Sequence, residues 1–351
     1  MNKLITIIKL WLKRTLILLD FLTKKSRNND KIVVIDLKSS NRFSRDLVNP
    51  VQFFLLNKYS VFFRLRLNFI RQLSFYYKLI SKRKEVSIIL IRPNKYTFYI
   101  SNSPEKEGDI MLKEDLTEHQ DYVKNSFRLP YSMHPLSYEN QQYEKLLQLR
   151  NLQLKIAKRK YRIVFAGNLN ENEYKSFYWG NEYYESRVKL VEFILKKFGK
   201  KVIIPKSFVE YEAGIKVPIC IVSRKYFSLD MMSYFKFLSQ GNFSFCPPGI
   251  RQPFCHNLIE SMFMGSIPIL KYAHLLNPKL QDGVNCLIYD DITSLINTVE
   301  KAISMSEAQV MEMKMNVCSY YKHYLEPNAV IKNFEDSIMD NVNTIYISAG
   351  T

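Results

Sequence analysis

Apolar residues occur along the first part of the chain in short runs separated by polar segments. The runs KIVVIDL (31–37) and EVSIILIRP (85–93) are typical of buried strands. Between them, the aromatic-rich and basic residues 51–80 predict helices. The polar, acidic segment 101–120 predicts a loop with a short helix, and residues 139–160 have the polar helical spacing expected of a connection between two domains.

A regular alternation of strand and helix patterns begins at Tyr161. The predicted strands are YRIVFAGN (161–168), KVIIP, VPICIVS, NFSFCPP and SIPILK. The predicted helices between and after them are ESRVKLVEFILKKFG (185–199), MMSYFKFLSQG, HNLIESMFMG and ITSLINTVEKAISM (292–305). Such alternation predicts a parallel sheet covered by helices on both faces, so the fold class is α/β.

A chain of 351 residues is long enough for two domains of this kind, facing each other across a cleft. The predicted organisation is an N-terminal helix (1–28), a first Rossmann-like domain (29–155), a second Rossmann-like domain (156–325) and a C-terminal helix and tail (326–351). The tail is expected to pack back on the first domain.

The first 23 residues combine helical apolar spacing with scattered cations, among them Lys9 and Lys13. A spanning helix needs about 20 nearly uncharged residues, and a signal peptide needs a clean apolar stretch, so neither is predicted. Two alternatives remain. The segment 1–27 is a basic amphipathic helix on an anionic membrane, which Lys24, Lys25 and Arg27 favour, or it is a helix docked on the protein's own core.

The net charge of +18, from 51 basic and 33 acidic residues, favours polyanionic partners. No nucleic-acid-binding module is visible, so nucleic acid is not a predicted partner. The five cysteines are odd in number and include no Cys-x-x-Cys pair. A disulfide framework or zinc site is therefore not expected, and a reducing, cytoplasmic compartment is.

Residues 243–271, FSFCPPGIRQPFCHNLIESMFMGSIPILK, form the most informative stretch. A strand ends in a Pro-rich loop, the loop leads into a helix that begins near His256 or Asn257, and the helix returns to a strand. Ligands of parallel sheets bind beyond the carboxyl ends of the strands, and a helix N-terminus attracts phosphate. Arg251 can clamp a diphosphate, and Glu260, one turn into the helix, can accept hydrogen bonds from ribose hydroxyls.

This stretch resembles the carboxyl-terminal half of exostosin-like and bacterial polysaccharide glycosyltransferases of the GT-B fold. The matching residues are Cys246, Pro247, Arg251, Glu260, Gly265, Ile267 and Pro268. FAGN (165–168) is similar to the Phe-x-Gly-Asn that opens the donor domain of that family. DGVNCLIYDD (282–291) looks like its Asp-Gly-x-Asn-Gly-Leu segment, with Cys286 in place of the usual Gly. The resemblance covers roughly residues 160–320.

The resemblance implies transfer of a sugar from a nucleotide-sugar donor to a growing surface glycan, such as lipopolysaccharide, O-antigen or capsule, by a hexosyltransferase-like enzyme. Many retaining members carry a second Glu where this chain has Gln252, so the sequence does not support that retaining subgroup. The stereochemistry stays open, and inversion is the favoured alternative. The acceptor is a glycan or lipid-linked glycan, and the enzyme is expected on the inner face of the cell membrane. No cofactor and no metal are expected. The predicted donor-binding residues are Gly167, Asn168, Arg224, Lys225, Pro248, Gly249, Arg251, His256, Asn257 and Glu260.

An inverting transferase needs a base to take the proton from the acceptor hydroxyl. His134, in the Pro-bounded loop LPYSMHP (129–135), is the first candidate, and Asp36 and Asp46 are alternatives. The base is expected from the first domain. Two other functions stay open: a non-catalytic membrane scaffold with a degenerate nucleotide site, and a GT-B enzyme that transfers a sugar phosphate or polyol phosphate.

Overall fold

The computed structural model describes residues 2–23, 28–38, 47–115, 125–156, 158–250 and 252–348. The chain forms two compact units. The first comprises Met1–Pro130 together with Glu326–Thr351, and the second is Tyr131–Leu325. Within the described ranges, no helix is both long enough and apolar enough to cross a membrane.

The first unit is built on a sheet in which all described strand pairs are parallel. Its strands are β1 (Lys31–Asp36), β2 (Tyr59–Arg64), β3 (Val86–Ile89), β4 (Phe98–Ser101), β5 (Ile110–Asp115), β6 (Ser126–Leu129) and β15 (Thr344–Ser348). Their order is β3-β2-β1-β4-β5-β15-β6. This is the Rossmann-type order 3-2-1-4-5-6 with the C-terminal strand inserted before the last position.

Helices of the first unit are α1 (Asn2–Thr23), α2 (Val48–Leu56), α3 (Leu67–Gln72), α4 (Lys78–Ser81) and α12 (Pro327–Met339). α12 packs on α2 through an edge-to-face contact of Phe334 with Phe54, at 5.7 Å between ring centroids. The following strand β15 pairs with both β5 and β6. The C-terminal segment therefore supplies an interior strand and a covering helix to a sheet whose other strands come from the first 130 residues.

The second unit contains a parallel sheet in the order β10-β11-β7-β12-β13-β14 and a small hairpin, β8–β9. The strands are β7 (Tyr161–Gly167), β8 (Phe177–Trp179), β9 (Glu182–Tyr184), β10 (Val202–Ile203), β11 (Ile219–Ser223), β12 (Gly241–Phe245), β13 (Ile267–Leu270) and β14 (Leu287–Ile288). β7 lies between β11 and β12, so the chain changes direction across the sheet at this strand. The carboxyl end of β7 is thus the topological switch point where ligands of such sheets bind.

Helices of the second unit are α5 (Asn140–Leu154), α6 (Arg187–Phe198), α7 (Phe208–Ala213), α8 (Met231–Ser239), α9 (His256–Phe263), α10 (Ile292–Ser304) and α11 (Glu307–Tyr320). Gly199 ends α6 at φ 36°, a conformation that disfavours other residues. Two α/β units, each with a parallel sheet, confirm the predicted fold class.

Two sequence predictions about the elements differ from the structure. Residues 51–80 contain the strand β2 in addition to helices. The side chains of β2 are almost all buried, and the strand pairs with β1. Segment 101–120 contains the strand β5 where a loop with a short helix was predicted. Pairing with β4 and β15 stabilises this strand despite its polar composition. Residues 116–124 lie outside the described residues.

The predicted domain boundary at 155/156 also differs from the structure, which divides the units at Pro130 and Tyr131. Helix α5 belongs to the second unit because it packs there. Arg150 Nε donates to the carbonyl oxygen of Phe263 at 2.7 Å, and Ser239 Oγ donates to Gln153 at 2.9 Å. The helix that seemed to connect two domains is therefore part of one of them.

Candidate functional site

A cavity of about 450 Å³ lies in the second unit, at the carboxyl ends of β7 and β11 and the N-terminus of α9. Its size is within the range of ordinary ligand pockets. One part of the lining is apolar and includes Val222, Phe227 and Leu229. Polar and charged groups form another part: His134, Asn168, Arg187, Arg224, His256, Asn257 and Glu260. The cavity therefore offers both apolar and charged contacts to a ligand.

Arg187 is the main cation of the cavity. It is the first residue of α6 and is only 3% exposed. Its Nη2 donates to the carbonyl oxygen of Pro248 at 3.0 Å and to Cys255 Sγ at 3.1 Å, and its guanidinium lies 4.0 Å from the ring centroid of Tyr174. Among the described residues it forms no ion pair, and its Nε has no hydrogen-bond partner. A buried cation without a counter-charge, facing a cavity, is a ready site for an anion.

The N-terminus of α9 faces the same cavity. Its N-cap, Cys255, makes no side-chain capping bond, so the first backbone N–H groups have no side-chain acceptor there. Asn257 is 7% exposed, and its Oδ1 has no partner among the described residues. An uncapped helix N-terminus beside Arg187 combines two anion-binding features at one place.

Glu260 lines the cavity but is 5% exposed, and both of its oxygens are engaged. Oε1 accepts from the backbone N–H of His134 at 3.1 Å, and Oε2 accepts from the hydroxyl of Tyr234 at 2.8 Å. Burial raises the pKa of this carboxyl, and the two hydrogen bonds offset only part of that rise. Glu260 therefore holds the loop that carries His134 against α9 and α8, a role that the sequence did not predict.

His134 was expected from the first domain, but it lies in the second unit and lines the cavity from there. Its Nδ1 accepts from the backbone N–H of Leu136 at 3.3 Å, so the neutral ring carries its proton on Nε2. Such a ring donates a hydrogen bond to a ligand more readily than it removes a proton. The expectation that His134 belongs to the first domain was wrong, since residues 131–155 lie in the second unit. Its role as the catalytic base stays a prediction.

His256 lies next to His134, with 5.3 Å between the ring centroids. Its Nδ1 lies 2.8 Å from the carbonyl oxygen of Ser132, and a carbonyl only accepts, so Nδ1 carries a proton. The ring also stacks on Tyr131 at 5.1 Å. These contacts fix the orientation of His256 at the start of α9.

Gly167, Asn168 and Arg224 line the cavity as well. A Cβ at Gly167 would lie 2.9 Å from the ring of Phe165, so a larger residue at this position would have to displace that ring. Asn168 Nδ2 donates to Glu173 at 2.8 Å, which organises the loop after β7. Lys225 is exposed and is not among the described residues that line the cavity.

The Pro-rich loop after β12 contributes through its backbone. The carbonyl of Pro248 holds Arg187, and the N–H of Gly249 donates to the carbonyl oxygen of Gln252 at 3.0 Å. A Cβ at Gly249 would lie 2.6 Å from the carbonyl oxygen of Phe254, so this turn requires glycine. Neither Pro248 nor Gly249 is among the described residues that line the cavity. Arg251 lies outside the described residues, and so does Asp46.

Asp36 lies in the first unit and is fully buried. Its Oδ1 accepts from Arg66 at 3.0 Å, and Oδ2 accepts from Arg64 at 3.1 Å and from Tyr99 at 2.7 Å. Burial alone would raise the pKa of Asp36, but the hydrogen bonds from Arg66 and Tyr99 and the two positive charges outweigh it, so the pKa is lowered. A buried carboxylate occupied in this way is an ion-pair centre and a poor proton acceptor.

Arg187 is the functional residue that sequence reasoning missed. The helical spacing of the sequence contained an indication of this residue. Arg187 lies on the same apolar helix face as Val191, Ile194 and Phe198, in a helix that follows FAGN. A cation at such a position is costly unless something binds it. The cavity residues Tyr174, Tyr234 and Cys255 gave no comparable signal.

No family model and no curated protein matches this sequence. Solved structures resemble the chain at low identity. Anabaena HepE in complex with UDP has a TM-score of 0.47 and 9% identity, covering 88% of this chain and 100% of HepE. A glycosyltransferase from Rickettsia africae ESF-5 has a TM-score of 0.46 and 7% identity, covering 90% and 100%. The wall teichoic acid polymerase TagF has a TM-score of 0.32 and 10% identity, covering 97% and 95%.

Proposed function

We propose that the protein is a glycosyltransferase of the GT-B type that uses a nucleotide-diphosphate sugar as donor. The observation that carries this proposal is the uncompensated cation Arg187 beside the uncapped N-terminus of α9, in a cavity at the switch point of a parallel sheet. The motif resemblance of residues 243–271 supports sugar transfer as the reaction.

The donor fits the cavity in one orientation. Its diphosphate lies against Arg187, Arg224 and the first N–H groups of α9, where the positive charge is concentrated. The nucleobase lies in the apolar part lined by Phe227 and Leu229. Because both oxygens of Glu260 are already engaged, a ribose hydroxyl would bind the carboxylate only through its remaining lone pairs.

In the proposed reaction, the acceptor hydroxyl oxygen attacks the anomeric carbon, and the bond from that carbon to the diphosphate oxygen breaks. The nucleoside diphosphate leaves with the electron pair of that bond, and a base removes the proton of the acceptor. Arg187, Arg224 and α9 stabilise the developing charge on the leaving group. We propose inversion without a metal ion, because these cations already face the diphosphate. His134 and His256 contact the ligand in this scheme.

The proposed acceptor is a growing bacterial surface glycan, free or lipid-linked, and the proposed location is the inner face of the cell membrane. The resemblance to surface-polysaccharide transferases supports the acceptor class. The basic, amphipathic pattern of the N-terminal segment supports the location.

The first test is a thermal-shift screen against uridine, guanosine, cytidine and adenosine diphosphates. A ligand at a hundred times its dissociation constant adds about 2.7 kcal/mol to stability. We expect one nucleotide to stabilise the native protein and not Arg187→Gln. If none does, the donor proposal fails and a non-catalytic scaffold becomes the better hypothesis.

A second test identifies the product by mass spectrometry after incubation with the matching nucleotide sugar and a glycan acceptor. Addition of one hexose mass, with release of nucleoside diphosphate, supports glycosyl transfer. Addition of a phosphorylated unit, with release of nucleoside monophosphate, would instead identify a sugar-phosphate or polyol-phosphate transferase.

A further inference from the structure

Helix α1 has two apolar faces, and one of them packs on the first unit. Ile17 and Phe21 are 7% and 3% exposed. The ring of Phe21 makes edge contacts with Phe63 and Phe69, at 6.2 and 6.0 Å between centroids. The helix also contacts α3, α4 and β3. The inward face thus fixes α1 to its own unit.

The second apolar face points away from the unit. Six side chains separated by three or four residues lie along it and are 43% to 64% exposed: Ile5, Ile8, Leu12, Leu16, Leu19 and Leu22. Leu19 is two residues from both Ile17 and Phe21, which places it about 200° around the helix from each. The outward row is therefore nearly opposite the buried one. Contiguous exposed apolar surface of this kind marks an interaction site.

Exposed apolar side chains continue on the elements that α1 contacts. Leu67 begins α3 and is 58% exposed, and Leu90 and Ile91 directly follow β3 and are 73% and 78% exposed. Phe75, just before α4, is 64% exposed. The exposed apolar residues of the first unit are therefore not confined to α1.

Exposed cations lie on α1 and on the elements that it contacts. Lys9 and Lys13 are exposed on α1, and Arg71, Lys78 and Lys82 are exposed on or beside α3 and α4. The single acidic residue of α1, Asp20, is directed towards the protein, where it accepts a hydrogen bond from Ser81 at 3.3 Å. The surroundings of the apolar row are thus positive.

We propose that the outward face of α1 binds the headgroup region of an anionic bilayer while the inward face stays docked. An apolar row flanked by lysines matches an anionic lipid surface. A second copy of the chain is a poorer occupant, because a twofold interface would bring the same cations face to face. The sequence left open whether α1 binds membrane or core. The two faces allow both at once, whether or not the protein transfers sugars.

The test is co-sedimentation of the full chain with vesicles of phosphatidylglycerol and phosphatidylcholine, and with vesicles of phosphatidylcholine alone. The variant Leu16→Glu/Leu19→Glu removes two outward side chains without touching the packed face. Leu152→Glu is the matched control, because Leu152 is as exposed as Leu16 (64%) but lies on α5 in the second unit. Thermal melts establish that each variant is folded.

We expect the wild type and Leu152→Glu to bind the anionic vesicles equally, and Leu16→Glu/Leu19→Glu to bind at least about tenfold more weakly, since each buried leucine contributes roughly 1.5 kcal/mol or more. Lys9→Glu/Lys13→Glu should weaken binding to anionic vesicles only. Unchanged binding of the leucine variant overturns the proposal. So does a wild-type dimer in sedimentation velocity that the leucine variant abolishes while vesicle binding persists. Neither readout involves donor turnover, so failure here is distinct from failure of the proposed function.

Discussion

Replacing Arg187 with glutamine is the sharpest perturbation of the proposed donor site. The substitution removes a guanidinium that is 3% exposed and has no ion-pair partner among the described residues, and it keeps a polar side chain of moderate length. If the cation is present to bind a diphosphate, the variant should lose the part of the ligand affinity that depends on the diphosphate. The binding of the nucleoside part should remain.

The magnitude follows from the burial of the charge. Truncating one partner of a buried, hydrogen-bonded charge pair costs about 2–5 kcal/mol. A loss of about 2–4 kcal/mol corresponds to a dissociation constant roughly thirty- to seven-hundredfold higher. The effect should be greater than for Arg224→Gln, because Arg224 is exposed and its charge is screened.

The stability of the free protein should change much less. The variant loses the hydrogen bonds to Pro248 and Cys255 and the contact with Tyr174, each of which contributes about 0.5–2 kcal/mol. It also loses a buried cation whose desolvation costs several kcal/mol. These terms oppose each other, so the free energy of unfolding should shift by no more than about 2 kcal/mol.

The assay is isothermal titration of the wild type and Arg187→Gln with the best nucleoside diphosphate and with the corresponding nucleoside. Arg159→Gln is the control, because Arg159 is another buried arginine of the same unit and donates to the carbonyl oxygens of Gly241 and Met264, away from the cavity. It should lower the free energy of unfolding and leave affinity unchanged. Equal diphosphate affinity in Arg187→Gln and wild type would refute the reasoning.

Three further substitutions test the other parts of the site and fold. In urea unfolding, Glu260→Gln should become more stable relative to the wild type as the pH rises above about 4.5. Folding raises the pKa of Glu260, so ionising this carboxyl lowers the free energy of unfolding of the wild type. A difference that does not change with pH would contradict this. Asp36→Asn should lower the free energy of unfolding by about 3–5 kcal/mol at pH 7. The difference should shrink as the pH falls below 3.8, because the lowered pKa of Asp36 reflects interactions that stabilise only its ionised form. Gly249→Ala should lower the free energy of unfolding by about 1–3 kcal/mol and raise the ligand dissociation constant severalfold, since the new Cβ would lie 2.6 Å from the carbonyl oxygen of Phe254 and displace the turn. Unaltered affinity in titration would show that this turn does not shape the site.

Local sequence patterns predicted the second unit well and the first unit partially. β7, β11 and β12 are short apolar runs bounded by turn residues, and each becomes a buried strand. β15 has a comparable apolar pattern, but its place between β5 and β6 depends on pairing with strands more than 200 residues earlier in the chain. No local pattern encodes such a pairing, so the tail was assigned no strand.

The candidate site shows the same division between local and non-local information. The start of α9 follows from nearby residues and was predicted from the motif. The bond from the His134 backbone to Glu260 joins residues 126 positions apart. It exists because α5 packs on the second unit and carries the preceding loop with it. The same packing removes His134 from the first unit, where the sequence had placed the catalytic base.

Both carboxylate oxygens of Glu260 accept hydrogen bonds, so the presence of this residue in the motif does not by itself indicate a ligand contact. In the sequence, a glutamate one turn into a helix implied a ligand contact, and its presence argued against a degenerate site. In the structure, the carboxylate accepts from His134 and Tyr234, so it holds the His134 loop in place even without a ligand. A non-catalytic scaffold would retain Glu260 for that reason alone. Arg187 is the better discriminator, because a buried cation that lines the cavity and has no ion-pair partner among the described residues is suited to an anionic ligand.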